Sequence, residues 1–519
     1  MKQYLRYGFN QADHLLSSTK RVWLAVLIMF LIVYGLTCQR NVSWQDSGKF
    51  QLRALEGDWR GDGLALAHPL YMLVASLVAR IPLGEFASRL NFLSSIGMAV
   101  TLANLAAIGM TLSGKRLIGI AIATMLGVTH VVWWLSTIAE VYTWSVAGLS
   151  LELCLLIRLL RDNVTSTTVN RVKLFTAILF VNGLGLSIHN FALLPLPVYL
   201  MVGVALVLHR QLPLWSFVVA VMAYLLGAGL FVALFVEKCI RLGDILAAVN
   251  DALVGGYGPY VFNTSLMWES LRFNAALASL SFANFLLPLA VIGFMRFHRL
   301  NKALAVCLTL ITAIEVIFVV RYSVPDQFTF LLPSMLMIAI SAAVGLDVLT
   351  DASLRWRRLA IIAVFFSIFF PPFLYAASPA LLKGIGWQIQ RARDLPFRDE
   401  MRYWMIPWKF DEQSAYLFAR QALEQAAPDG IILADETSLY SLILVQRLEH
   451  VSPGVWLPYR GNRLPSYERD RESFFRMIGD RPVFVVSPKP GYAPAGLLED
   501  AEFVRMGVLY QCLFTSNAR

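Results

Sequence analysis

Asp46 stands in the run Trp44-Gln45-Asp46-Ser47-Gly48, a few residues beyond the first long apolar stretch of the chain. A carboxylate held where a membrane helix meets water can act as a general base on a substrate half buried in lipid. The polar segment after it carries Lys49, Arg53, Glu56, Asp58, Arg60, Asp62 and His68. Further polar groups fall between or at the ends of later apolar stretches: Glu140 with Tyr142, His189 with Asn190, Lys238 and Arg241, Gly255-Gly256-Tyr257-Gly258, and Arg321 with Asp326. Such groups are costly near lipid and are functional candidates by default. Each also has a plainer reading. Histidines cap helices or bond carbonyls, Glu140 pairs with a cation, Arg321 anchors a helix at the interface, and the glycine run makes a turn. Glu56, Asp58 and Asp62 are the set able to hold a divalent metal, with a solvated face as the simpler expectation.

These residues need a frame, and composition supplies it. Hydrophobic residues make up 57% of 519 and charged residues 15%, against roughly 25% charged in ordinary soluble domains. Lipid offers backbone groups no partners, so the chain must cross it as helices of about 20 apolar residues. Eleven such stretches are read, near 22–38, 88–112, 117–135, 141–160, 172–188, 190–208, 214–236, 273–295, 302–320, 327–349 and 359–378. Between 70 and 81 an interrupted amphipathic segment is too short to span and reads as a helix lying in the interface, with Arg80 snorkelling to the headgroups.

Basic residues choose the sides. Lys2, Arg6, Lys20 and Arg21 precede the first span, and later clusters at Lys115/Arg116, Arg158/Arg161/Arg171/Lys173, Arg210, Arg296/Arg299/Lys302 and Arg355/Arg357/Arg358 fall in alternate loops. The positive-inside tendency makes these loops and the N-terminus cytoplasmic, and the Asp46 loop and the last 140 or so residues extracytoplasmic. The net charge of +10 is thereby topological, and nucleic-acid binding is excluded: no Lys/Arg run is interleaved with aromatics in a soluble segment. The first apolar stretch reads as an uncleaved signal anchor, and a bacterial inner membrane is the simplest setting. The five cysteines show no paired spacing and read as packing residues. Asn41-Val42-Ser43 and Asn263-Thr264-Ser265 match a glycosylation acceptor pattern too short to weigh.

Three parts result: a membrane module over 1–378, within it a first outer loop over 39–87, and a soluble tail over 379–519. In the tail, strand signals at 430–434 and 482–486 alternate with helical patterns at 438–447 and 468–477, which implies a small α/β domain. It has no glycine-rich phosphate loop, and Asp435 and Glu436 read as helix-capping residues.

An ordered set of motifs runs through the membrane part: Asp46-Ser47-Gly48-Lys49-Phe50, Ala67-His68-Pro69-Leu70-Tyr71, Arg89-Leu90-Asn91, Ala139-Glu140-Val141-Tyr142, Gly183 through His189, and Asp326 with Pro333-Ser334, followed by Arg398-Asp399 and Tyr403-Trp404. This set resembles the protein O-mannosyltransferase-related family of GT-C glycosyltransferases. The resemblance implies a GT-C bundle, a polyprenyl-phosphate sugar as donor, and Asp46 as the catalytic carboxylate. Two features depart from the family's pattern. Lys49 stands where a second acidic residue is common, and His68-Pro69 runs directly into Leu70-Tyr71 where the family's stretch is longer.

The chemistry of that reaction needs one base and several cations or hydrogen-bond donors for the departing phosphate. Asp46 supplies the base, while His68, His189, Arg321, Lys238 and Arg241 are candidates for the phosphate, arginine because its planar fork gives two parallel hydrogen bonds. Glu140 and Tyr142 are the candidates for orienting the sugar or holding Asp46, and Asp326 is a further substrate-binding candidate. The expected activity is transfer of a sugar, mannose by resemblance, to a hydroxyl of a protein, lipid or glycan, with the polyprenyl-phosphate sugar as donor substrate and a divalent metal as the one cofactor left open. The alternative is a transporter or flippase of a lipid-linked or small polar solute; the chain shows no repeated halves of the kind transporters are built from.

Overall fold

The structure is a computed structural model and describes residues 2–161, 167–261, 268–322, 324, 326–387, 389 and 395–514. The Asn263-Thr264-Ser265 pattern lies outside the described residues. Four helices open the chain: α1 (Lys2–Thr37), α2 (Gln45–Glu56), α3 (Pro69–Ala79) and α4 (Phe86–Ser113), with a 3-10 turn at Leu64–Leu66. Then come α5 (Arg116–Gly127), α6 (His130–Leu135), α7 (Tyr142–Arg161), α8 (Thr168–Ile188), a 3-10 turn at Asn190–Leu193, α9 (Leu196–Leu208), α10 (Trp215–Gly227), α11 (Gly229–Leu242) and α12 (Ile245–Leu253). The bundle closes with α13 (Gly258–Val261), α14 (Trp268–Ser281), α15 (Leu286–Met295), α16 (Lys302–Arg321), α17 (Leu332–Asp351) and α18 (Leu354–Gly384).

Among the described residues eight helices are long and apolar enough to cross a membrane. The number is ten if two bent pairs each count as one span, α10 with α11 at 77° and α14 with α15 at 80°. Ten of the eleven expected stretches fall on these. The eleventh, 117–135, breaks into α5 of 12 residues and α6 of six, each short of the ~20 residues a crossing needs. Side chains satisfy the backbone at the break: the Tyr34 hydroxyl donates to the Gly127 carbonyl at 2.8 Å, and the Thr129 hydroxyl to that of Leu126 at 2.7 Å. α18 runs on past Pro379 to Gly384. α3 is the short helix expected after His68; Tyr71, Met72 and Ala75 face protein while Leu73, Leu77 and Arg80 are exposed.

α4 and α17 form the centre of the bundle, largely covered by neighbours, whereas α1 and α18 turn most of their apolar side chains outward. Lipid competes with apolar side chains for contact, so tight pairs rely on small residues that let backbones approach. A Cβ on Gly293 of α15 would sit 1.8 Å from the Ser341 carbonyl oxygen of α17, and one on Gly345 would sit 2.0 Å from that of Leu289. Gly345→Val is therefore expected to lower stability by about 1–3 kcal/mol through overpacking. Gly148→Val, with open space around it, serves as the control; thermal unfolding in detergent should separate the two, and equal melting would show that this approach does not hold the bundle.

The C-terminal part begins with α19 (Glu400–Met405) and α20 (Ser414–Gln425), then β1 (Ile431–Leu433), α21 (Glu436–Glu449), α22 (Arg471–Ile478), β2 (Val483–Val485), α23 (Ala495–Asp500), β3 (Ala501–Met506) and β4 (Leu509–Phe514). β1 and β2 are parallel with Ile432 opposite Phe484, and the sheet order is β1-β2-β4-β3. The β3–β4 hairpin, which turns at Gly507 with φ 62°, adds two antiparallel strands that the sequence reading did not anticipate.

This part sits on the bundle through specific bonds. The Lys409 amide donates to the Thr37 carbonyl at 2.8 Å, the Trp44 indole to Ser414 Oγ at 2.8 Å, and the Thr137 hydroxyl to the Pro407 carbonyl at 2.9 Å. α21 packs directly on α2. Gly48 is required at that crossing, because a Cβ there would lie 2.4 Å from the Ser43 carbonyl oxygen and 3.3 Å from the Tyr440 side chain.

Candidate functional site

Asp46 lies in the first turn of α2, where the unpaired N–H groups and the helix dipole favour a negative charge. Gln45 just before it adopts a left-handed backbone, φ 54°, a conformation that costs energy outside glycine and persists only where its surroundings impose it. Those surroundings are firm. Trp44 is buried, and the Gln51 amide, one and a half turns on, donates to Asn91 Oδ1 of α4 at 2.9 Å. Asn91 in turn donates to the Gln39 carbonyl at 2.9 Å, so the Arg89-Leu90-Asn91 motif ties the Asp46 loop to the bundle.

Glu140 is buried behind Asp46. Ser47 Oγ donates to its Oε1 at 3.1 Å, and its backbone N–H donates to Ser94 Oγ at 2.7 Å. His68 is the second non-glycine residue at the site with a left-handed backbone, φ 47° and ψ 47°, directly before the proline that starts α3. Its Nδ1 lies 2.9 Å from the Ile188 carbonyl. A carbonyl only accepts, so Nδ1 carries the proton and Nε2 keeps a lone pair. His189, stacked on it at 5.1 Å and 11°, accepts at Nδ1 from the Phe191 amide at 3.1 Å. Its proton therefore sits on Nε2. The pair offers one acceptor nitrogen and one donor.

Asp46, Tyr142, His189 and Asp326 line one cavity of about 390 Å³, together with Asn190, Tyr257 and Tyr322 and an apolar wall that includes Leu193, Leu194, Leu253, Phe318 and Phe330. Wider clefts, about 620 and 640 Å³, open in the C-terminal part but hold none of the residues nominated for chemistry. Asp46 is open to its cavity although protein surrounds it.

The carboxylates crowd one another. Burial raises the Asp46 pKa, Lys49 one turn on opposes the rise, and Glu436 of α21 adds to it. Glu140 is held well above the usual carboxylate range by burial and then by Asp46 and Asp326. Asp326 is pushed up to about 6 by burial and then by Asp46. Burial lowers His189 to about 3, and lowers His68 with help from His189 and Arg53, so both rings are neutral near pH 7. The site thus holds three carboxyl groups that burial and mutual repulsion raise, beside two neutral imidazoles of opposite tautomer.

A raised base must lose its proton to act, so activity is expected to fall as pH drops through the raised range, above where an ordinary aspartate titrates. Glu436→Gln removes the like charge that raises Asp46 and should move this acid limb to lower pH. The apparent values belong to the coupled set rather than to one residue. An acid limb that stays in place in this variant would show that Glu436 does not act on Asp46.

Two expectations are met differently. Arg321 ends α16 exposed to solvent, and its neighbours Phe318 and Tyr322, rather than its guanidinium, face the cavity. Lys238 pairs with Asp251 at 3.0 Å, and Arg241 is exposed. Nor do Glu56 and Asp58 form a solvated face: Arg447 and Arg460 of the C-terminal part grip Glu56 at 2.7 and 3.2 Å, and Arg53 and Arg460 grip Asp58 at 3.2 and 2.5 Å. Asp62, more exposed, lies 3.8 Å from Arg460. Among the described residues no group of three or more His, Cys, Asp or Glu is placed to hold a metal ion. The sequence reading did not single out Tyr322 or the effect of Glu436 on Asp46. Tyr322 lies next to a nominated arginine, while Glu436 reaches the site only through the docking of α21.

Residues 65–212 match the family described as protein O-mannosyl-transferase TMEM260 N-terminal domain, a segment containing His68, Glu140, Tyr142 and His189 but not Asp46. No curated protein is significantly similar to the chain in sequence. Among solved structures, ArnT from Cupriavidus metallidurans bound to undecaprenyl phosphate aligns with a TM-score of 0.57 at 13% identity, over 96% of this chain and 98% of its own. The apo state of the same protein aligns at 0.54, with 13% identity and the same coverage. The oligosaccharyltransferase of Archaeoglobus fulgidus in its apo form reaches 0.49 at 12% identity, over 89% of this chain and 69% of its own.

Proposed function

We propose that this chain, an integral membrane protein of the GT-C fold that matches the protein O-mannosyl-transferase TMEM260 N-terminal domain over residues 65–212, transfers a sugar from a polyprenyl-phosphate donor to an acceptor hydroxyl. One observation carries the reading: Asp46, exposed to its cavity, shares the lining with the polar Tyr142, His189 and Asp326 on the one hand and the apolar Leu193, Leu194, Leu253, Phe318 and Phe330 on the other. That division suits a substrate with a sugar phosphate head and a prenyl tail.

In the step proposed, the acceptor oxygen bonds to the anomeric carbon as the bond from that carbon to the phosphate oxygen breaks. The acceptor's proton passes to Asp46, and polyprenyl phosphate leaves with one more negative charge. A phosphate needs little acid assistance to leave, so one carboxylate suffices, unlike the pair in glycoside hydrolases. His189 Nε2–H is the donor placed for the leaving phosphate, and Lys49 is the cation beside the base. Neutral Glu140 holds α2 through Ser47, while Tyr142 and Asp326 face the sugar end. The active face and the C-terminal domain, residues 379–519, lie on the extracytoplasmic side of a bacterial inner membrane, with the N-terminus in the cytoplasm.

The two bent helix pairs are the feature a transporter reading rests on. Neither pair contributes a residue to the Asp46 cavity, so the cavity favours transfer chemistry. The deciding experiment incubates sealed right-side-out and inverted vesicles containing the protein with radiolabelled polyprenyl-phosphate mannose, glucose and other sugars. Release of polyprenyl phosphate and labelling of an acceptor on the outer face support the reading; translocation of donor with no bond cleaved overturns it.

A further inference from the structure

Beyond the Phe191 ring, which lines both spaces, the bundle encloses a second cavity with room for about one water. Glu152 of α7 and Glu315 of α16 line it, each 1% exposed. The Tyr199 hydroxyl of α9 and the Asn182 amide of α8 donate to Glu152 Oε2 at 2.8 and 3.2 Å, and the same amide donates to the Ala192 carbonyl at 2.8 Å. These bonds satisfy Glu152. Three buried acceptors remain without partners among the described residues: both carboxylate oxygens of Glu315 and Oδ1 of Asn182.

Acceptors with no donors, buried within a membrane helix bundle, need a positive particle to face them. The donor atoms are all oxygens, which suits a hard cation. Calcium takes six to eight oxygens and magnesium keeps several waters, more than this space admits. We propose that the cavity binds a single hard monovalent cation, sodium by size, held by Glu315 and Glu152. Glu315 and Glu152 come from α16 and α7, and α8 and α9 hold Glu152, so the site exists only in the folded protein, and occupancy stabilises the fold by mass action. Through Ala192 and Phe191 it also braces the 3-10 turn that follows His189.

The test uses the purified full chain in detergent at pH 8, melted in sodium, potassium or choline chloride at one ionic strength, with calcium and magnesium chloride as further arms. The native protein should melt several degrees higher in sodium, saturating with concentration, and titration calorimetry with sodium chloride should give one site. Glu315→Gln brings its own amide donors and should fold, melt cooperatively and show no sodium-specific shift. Equal melting of the native protein in all three monovalent salts overturns the proposal, as does a sodium shift that survives in Glu315→Gln. Stabilisation that follows only pH assigns the cavity to a proton, and stabilisation only by a divalent ion changes its occupant; either result also overturns it. None of these readings depends on sugar transfer.

Discussion

Asp46→Asn is expected to reduce sugar transfer by ~10²- to 10⁴-fold, the usual contribution of a positioned general base. Asparagine has the shape of aspartate and still accepts hydrogen bonds, so α2, its Gln51–Asn91 bond and the packing of Gly48 under α21 remain in place. What disappears is the proton acceptor. The substitution also removes a negative charge that raises Glu140 and Asp326, so the variant should fold at least as stably as the native chain. Donor binding should change little, because in the proposed step the phosphate meets His189 rather than Asp46. The decisive pattern is an unchanged melting temperature, donor KM within a few fold and kcat nearly lost. Transfer within threefold of native would remove Asp46 from the mechanism and leave Glu140 or Asp326 to be tested as the base.

The two kinds of information in the chain differ in range. Asp46, His68, Glu140 and His189 were legible because each lies beside the end of an apolar stretch, where a polar group has few harmless explanations, and because their motifs follow one order along the chain. Arg321 met the same criterion yet points away from the cavity, since position at a helix end says nothing of which side of the helix a residue occupies. The stretch 117–135 is apolar enough to span, but hydropathy does not register a break whose carbonyls are satisfied by Tyr34 and Thr129 from the side. Glu56 and Asp58 looked solvated because Arg447 and Arg460, which cover them from the C-terminal part, are 391 to 404 residues away in sequence. Glu152 and Glu315 were passed over for a related reason: single acids inside apolar stretches have meaning only once α7 and α16 are set side by side.

The arginine contacts give the C-terminal domain a mechanical role in the site. Arg460 and Arg447 hold the far end of α2, and Tyr440 covers its near end beside Lys49, at 6.0 Å from the ring. The helix that carries the base is thus clamped between bundle and domain. A domain of this kind positions the base as well as any acceptor it binds, which makes the clamp itself the next place where a single substitution should have a large effect.

Arg53→Ala should cost about 3 kcal/mol or more of stability and at least a tenfold loss in transfer. Arg53 is 2% exposed and sits where α2 ends. Its guanidinium reaches Asp58 at 3.2 Å and the carbonyls of Leu66 and Ala67 at 3.2 and 2.7 Å. Alanine leaves those carbonyls without their donor and Asp58 with Arg460 and the Gly61 amide. The Ala67 carbonyl immediately precedes His68, whose left-handed backbone needs fixing from both sides. Without Arg53 the Ala67 carbonyl before His68 loses its hold, His68 is left with its ring bond to Ile188 and the Met72 amide on its carbonyl, and the stacked histidine pair loses its register. Arg53→Lys should recover little, since one ammonium cannot reproduce a planar fork that spans three acceptors. Arg60→Ala is the contrast: its pair with Glu237 is more than half exposed on both sides and is worth at most about 1 kcal/mol. Melting and transfer should therefore rank native and Arg60→Ala together, well above Arg53→Lys and Arg53→Ala; if Arg53→Ala tracks Arg60→Ala in both measurements, the loop that carries His68 is held by something other than Arg53.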